Sequence, residues 1–215
     1  MWLTKPRFVI EQIMGIDSDP LFLIEAAGRT CYKSEGKSRP GSAANFVKSL
    51  RDRGHESVIE HSAMTVRFII DRGVSHELVR HRLCAFSQES TRYCNYGGGV
   101  TFILPPWVNI PPGEYLKRIS IRSSLADDIW FQHMFNTGQE YTALLQAGWS
   151  PQEARSILPN SLKTEIVVTA NFREWRHIFK LRCSTAAHPQ MREVMIPLLG
   201  TVRNQIPVVF DDIPY

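Results

Sequence analysis

Residues 165–182, EIVVTANFREWRHIFKLR, constrain the fold more tightly than any other stretch of this chain. The run EIVVTA at 165–170 is short and β-branched, which suits a strand, and Asn171 then offers a side-chain oxygen to the first free amides of a helix. From there Phe172, Trp175 and Phe179 recur at helical spacing, with Arg173, Arg176, His177 and Lys180 on the opposite side. A strand delivered directly into an amphipathic helix requires a sheet and a helical layer in one fold. The basic residues opposite the stripe are expected to form a solvated face. Arg182 differs, because it falls on the apolar side with Trp175 and Ile178, where a guanidinium either snorkels to water or meets an anion.

A second concentration of charge is RHRLCAFSQESTRY, Arg80 to Tyr93. Ser75 is the expected cap of a helix running through Leu83, with Val79 and Leu83 turned to a core and Arg80 and Arg82 on different sides of the axis. The polar run Ser87, Gln88, Glu89, Ser90, Thr91, Arg92 reads as a loop whose hydroxyls, amide and guanidinium suit a phosphate and a hydrogen-bonding ring.

The remaining pattern alternates strands and helices. Residues 6–13, 62–71 and 101–107 are expected strands, the second from the alternation of Met64, Val66 and Phe68 with polar neighbours. Asp19-Pro20 opens a helix to about Arg29, Ser42 opens another that Gly54 ends as a left-handed cap, and Ser150-Pro151 with Glu153 begins a capped helix that stops before Pro159. Helices over 125–147 and 189–204 carry apolar stripes for a core or a subunit contact. In HESVIEH the spacing of His55 and His61 does not match a helical zinc motif, and no metal is expected.

Composition narrows the class. The 215 residues suit one domain spanning 1–215, and 43% hydrophobic with 21% charged residues is the balance of a globular protein. No apolar run is long enough to span a membrane and MWLTKP is no secretory leader, so a cytoplasmic location is expected. Cys31, Cys84, Cys94 and Cys183 form no metal or redox pair and read as free thiols. A net charge of +4 and a pI near 9.0 fit nucleic acid or small phosphorylated ligands, and scattered basic residues without a basic arm favour the ligands. Two alternatives stay open: a basic nucleic-acid-binding domain, and a cysteine-dependent pyrimidine methylase using Cys183 beside Arg182.

Two separated patterns carry a resemblance. Arg80, His81, Arg82, then seven residues to Ser90, then Arg92 and Tyr93, is one; Asn171, Arg173, His177 and Arg182 in the spacing NxRxxxHxxxxR is the other. With His55, Ser57, Glu60 and Arg155, these make the chain resemble the flavin-dependent thymidylate synthases over residues 55–93 and 150–200. The resemblance implies an α+β fold, a mixed sheet with flanking helices, and a homotetramer with shared active sites, without nucleic acid or membrane partners. It implies reductive methylation of dUMP to dTMP, with methylenetetrahydrofolate as carbon donor and NADPH, through FAD, as hydride source. FAD would be held by Ser57, Arg80, His81, Arg82, Gln88, Asn171, Arg173 and His177. The nucleotide would be held by Glu77, Arg80, Gln88, Glu89, Ser90, Thr91, Arg92, Arg155 and Arg182, with Arg182 also activating the ring. Glu77 stands where a glutamine is common in the family, and Gln88 where other members carry glutamate.

Overall fold

The computed structural model describes residues 1–15, 17 and 19–215, and these group into two compact units. Unit 1 comprises residues 1–7, 68–80 and 87–166; unit 2 comprises 8–67, 81–86 and 167–215. Neither is a continuous stretch. The part of the Gly15–Pro20 turn at residues 16 and 18 lies outside the described residues.

Unit 1 is built on a three-stranded mixed sheet. Its central strand β1 (Trp2–Thr4) pairs parallel with the strand at Thr101–Ile103 and antiparallel with that at Gly113–Glu114. Over it lies a 22-residue helix, Leu125–Gln146, started by the Ser124 hydroxyl, which accepts from the Asp127 amide. Phe131, Met134 and Tyr141 of that helix pack with Leu3, Val100 and Phe102 in one buried cluster. The sequence stripe is only half buried, however. Leu125 and Ile129 are 76% and 61% exposed, so one side of this helix remains apolar and open.

The second sheet runs in the order β2 (Arg7–Ile13), β3 (Ala63–Asp71), β7 (Lys163–Asn171), β4 (Ala85–Gln88), the strands at 101–103 and 113–114 being β5 and β6. Burial alternates along β3 and β7 as the period of a half-covered sheet demands, and Thr65 and Thr169 hydroxyls meet across it at 2.9 Å. In unit 2 the helices α1 (Pro20–Thr30), α2 (Ser42–Asp52), α6 (Phe172–Arg182), α7 (Pro189–Gln205) and α8 (Pro207–Phe210) accompany it. Here α3 is Arg72–Leu78, α4 the 22-residue helix and α5 Pro151–Ala154, all in unit 1. The Asp19 cap, the Ser150–Glu153 capping box and the left-handed Gly54 at φ +76° are as the sequence predicts.

Three local expectations are corrected. The helix before the RHR segment starts at Arg72 rather than Ser75, because the Asp71 carboxylate takes the Val74 amide at 2.8 Å; Ser75 is buried inside it. It ends at Leu78, leaving Val79 and Leu83 exposed rather than in a core. Ser87 and Gln88 belong to strand β4, not to a loop. Of the two readings of the α7 stripe, core holds: Met191, Val194, Met195, Leu198 and Leu199 are buried within unit 2. Among the described residues no helix is long and apolar enough to cross a membrane.

Candidate active site

The basic pattern of α6 is placed by its strand and its cap. The Asn171 side chain accepts from the Glu174 amide at 2.8 Å, which fixes the first turn, and Phe172, Trp175 and Phe179 are fully buried. The Trp175 indole N–H is satisfied by the Met64 carbonyl of β3 at 2.9 Å, so the helix is pinned in rotation as well as in place. Its polar side is thereby set against residues 56–61, a 3₁₀ turn.

That side lines a cavity of about 550 Å³, bounded by Glu56, Glu60, Leu83, Asn171, Arg173, Glu174, Arg176, His177 and Lys180. Three carboxylates face three cations there. Arg173 Nη1 donates to Glu60 Oε1 at 2.5 Å, and Arg176 Nε to Glu56 Oε1 at 3.2 Å. Arg176 is not the solvated residue expected from its helix face. It is 2% exposed and forked onto Asp212, a partner that local periodicity does not reveal.

At the end of α6, Arg182 Nε donates to His81 Nε2 at 2.9 Å, joining residues 101 positions apart. Arg182 is half-buried, and the imidazole nitrogen of His81 is one of its partners. Since His81 Nε2 accepts, the neutral ring carries its proton on Nδ1, 3.5 Å from Glu174 Oε1. The His177 ring lies edge-on, with its centroid 5.8 Å from that of His81. Burial, followed by the Arg182 and His177 charges, lowers the His81 pKa from 6.5 to about 4; burial raises that of Glu174. One ligand atom from each of His81, Glu174 and His177 lies within 4.8 Å of the others, a spacing that could hold a metal ion. A cation there would have to displace the Arg182 hydrogen bond or the Nδ1 proton.

The neutral His81 carries a pH signature. Between pH 6.5 and 4 the unfolded chain binds a proton at this residue that the folded chain refuses, so stability falls as pH drops through that window. The loss between pH 7 and pH 5 is about 2 kcal/mol for this group, and the raised Glu174 acts in the opposite sense. Urea unfolding of His81→Gln is expected to lose about 2 kcal/mol less over that interval than the parent protein. Equal losses would show that His81 is not held neutral.

The other residues of the RHR segment are spread differently. Arg82 is exposed in the turn after His81, and Ser57 is exposed beside a second, smaller cavity of unit 2 that His55, Glu56 and Arg173 also line. Arg80 and Glu77 belong to unit 1, at and just past the last turn of α3.

In unit 1, Gln88 and Glu89 turn out to be tied internally. The Gln88 amide donates to Ser75 Oγ at 2.9 Å and Thr164 Oγ1 at 3.2 Å. The Glu89 carboxylate receives Tyr96 Oη at 2.8 Å, Lys163 Nζ at 3.0 Å and the Glu165 amide at 3.1 Å. Ser90 closes a turn: its hydroxyl accepts from the Arg92 amide at 3.3 Å and its carbonyl from the Cys94 amide at 2.9 Å. Arg92 is exposed over the Tyr93 ring.

Thr91 is buried and accepts from Arg155 Nη1 at 3.1 Å. These two share a cleft of about 400 Å³ with Arg72, His76, Gln152 and Asn160. No carboxylate lines it. Neither Arg72 nor Arg155 has a carboxylate partner among the described residues, which makes the cleft a natural anion site. Sequence reasoning found Arg155 and Thr91 but missed Arg72 and His76; their i, i+4 spacing one turn before Arg80 was the available signal. It also missed Glu56, Glu174 and Asp212, whose partners are distant in sequence.

Comparison with known proteins agrees across the chain. The family described as thymidylate synthase complementing protein matches residues 12–208. The flavin-dependent thymidylate synthase of Corynebacterium aurimucosum is 34% identical over 198 residues, covering 88% of this chain and 78% of that protein. That of Geobacter sulfurreducens is 33% identical over 202 residues, covering 90% and 82%. Among solved structures, the UMP/dUMP methylase PolB from Streptomyces cacaoi, bound with 5-Br dUMP, superposes with a TM-score of 0.75 at 22% identity, covering 98% of this chain and 96% of PolB, and shares its α+β fold. With a matching family that spans nearly the whole sequence and relatives above 30% identity over most of it, this chain belongs to the flavin-dependent thymidylate synthase family.

Proposed function

We propose that this protein methylates dUMP to dTMP reductively, taking carbon from methylenetetrahydrofolate and reducing equivalents from NADPH by way of FAD. The observation that carries the reading is the 2.9 Å hydrogen bond from Arg182 to His81. It brings the two patterns of the family resemblance, a hundred residues apart in the chain, onto one constellation. Chance similarity in either pattern would not require that meeting.

The donor set of the 550 Å³ cavity fits FAD. Arg173, with Arg176 and Lys180 beside it, supplies cations for a pyrophosphate, and His177 and Asn171 supply hydrogen-bonding edges for a flavin ring, with the neutral His81 packed edge-on behind His177. Ser57, Arg80, Arg82 and Gln88 complete the proposed cofactor set. Bound FAD would supply the hydride transfer that no side chain can perform.

For the nucleotide, the cleft holding Arg155 and Thr91 supplies cation and hydroxyl contacts for the dianionic phosphate. Ser90, Arg92, Arg80 and Glu77 complete the binding set, while Gln88 and Glu89 serve mainly by holding the Ser90–Arg92 turn in shape. Arg182 stabilises the anionic pyrimidine ring that attacks the carbon donor. Its donation to His81 holds the guanidinium at the point where the two family patterns meet, as a preorganised electrostatic role requires. Among the described residues no general base is hydrogen-bonded to the Ser90 hydroxyl, which favours positioning over nucleophilic attack.

Cys183 is a poor candidate for a covalent thiol mechanism. It is fully buried, and burial pushes its pKa up to about 11. The single-domain reading is supported by the family match at 12–208, which runs through segments of both units. A cytoplasmic homotetramer with shared sites fits nucleotide synthesis, and the exposed Leu125 and Ile129 of α4 fit a subunit contact. The test is direct. Purified protein should absorb as an oxidised flavoprotein and form dTMP only when dUMP, methylenetetrahydrofolate and NADPH are all present. A colourless protein that does not take up FAD would refute the reading.

A further inference from the structure

Two buried arginines hold the segment that follows α7. Arg51, on α2, donates to the Val208 carbonyl at 2.7 Å, pairs with Asp52 and Asp211, and stands 3.6 Å from Asp212 Oδ1. Arg176, on α6, grips Asp212 as a fork, Nη1 to Oδ1 at 2.6 Å and Nη2 to Oδ2 at 2.8 Å, and also donates to the Val209 carbonyl. The two clamps meet at Asp212, but only Arg176 lines the candidate site.

Arg176 lines the 550 Å³ cavity and shares Glu56 with it. One oxygen of Glu56 takes Arg176, and the other stands 3.8 Å from Arg173 Nε. Asp212, Arg176, Glu56 and Arg173 therefore form a row of alternating charge that ends on an exposed, cavity-lining guanidinium, which Glu60 holds from its other side at 2.5 Å. Such a row has one stable arrangement while every member is present. A planar guanidinium satisfies a fork on one edge and a third acceptor on another, and it does so only in a fixed orientation.

We propose that Asp212 is a positioning residue for the cofactor site: by holding the fork of Arg176, it fixes Glu56 and so sets Arg173 for an anionic ligand. The inference rests on the reading of this cavity as the FAD site. Without the Asp212 charge, the buried Arg176 has Glu56 as its one remaining carboxylate at 3.2 Å. The guanidinium then turns toward Glu56 and draws it from its place, so two groups of the cavity wall move together.

FAD titration of the apoprotein tests this. Asp212→Asn is expected to raise the Kd for FAD about tenfold, and Asp212→Glu to return it to within about threefold of the parent. Asp211→Asn, which loosens the Arg51 clamp, is expected to lower the melting temperature without moving the FAD Kd. Arg176→Lys keeps the charge but loses the fork; it is expected to repeat the Asp212→Asn effect and serves if that variant does not fold. Unchanged FAD affinity in Asp212→Asn or Arg176→Lys overturns the proposal, as does an equal rise in Asp211→Asn. A parent protein that takes up no FAD overturns the cofactor reading and this role with it, whereas FAD uptake by the parent with unaltered affinity in the variants overturns the role alone.

Discussion

Replacing Arg182 with Ala is expected to lower the rate of dTMP formation about 100-fold to 1000-fold while FAD stays bound. That is the size of effect seen when one preorganised electrostatic group is removed from an active site. The side chain is suited to the role because it is half-buried and its orientation is fixed by donation to a neutral imidazole. His81 should respond as well. With the Arg182 charge gone, one cause of the lowered His81 pKa disappears, and the pH at which activity falls on the acid side should move upward. A simple loss of packing would not produce that second effect. Rates near those of the parent would sink the assignment of Arg182 to ring activation.

The second large effect is expected at Arg155. Its guanidinium touches the buried Thr91 hydroxyl at 3.1 Å in a cleft without carboxylates, so a phosphate there meets a cation that no internal partner has neutralised. Charge-assisted hydrogen bonds of this kind contribute about 1.5–3 kcal/mol, so Arg155→Ala should raise the KM for dUMP by roughly 10-fold to 100-fold. Deoxyuridine, which lacks the phosphate, is the control. Its weak binding should hardly change, and a parallel loss for both compounds would mean that Arg155 acts on the fold and not on the phosphate.

Much of this site is readable from local sequence, and the limits are physical. Asn171 as a cap and the Phe172, Trp175, Phe179 stripe follow from contacts within four residues, and the structure matches both. Ser75 is as good a cap by residue type as Asp71, so the sequence reading places the start of α3 one turn too late. Asp71 prevails by ending β3 and capping the helix at once. Strand β4 looked like a loop because its polar residues are satisfied by side chains of other elements, Gln88 by Ser75 and Thr164.

Arg176 shows the deeper limit. Its helix face predicts solvent, but Glu56 lies 120 positions away and Asp212 lies 36 away, and neither pairing is encoded in the periodicity of α6. The apolar stripe of α7 could equally have served a core or a partner. Only the packing within unit 2, which buries all five residues, decides for the core.

The central claim is that methylation here runs through flavin and not through an enzyme thiol. A single-turnover experiment on protein with Cys31, Cys84, Cys94 and Cys183 all replaced by Ser tests it most directly. The bound flavin is reduced without air, dUMP and methylenetetrahydrofolate are added, and absorbance and dTMP are followed together. The account predicts that the oxidised flavin band returns while dTMP forms in equal amount, at a rate close to that of the parent. A folded, flavin-loaded, cysteine-free protein that makes no dTMP, or dTMP formed while the flavin stays reduced, would contradict it.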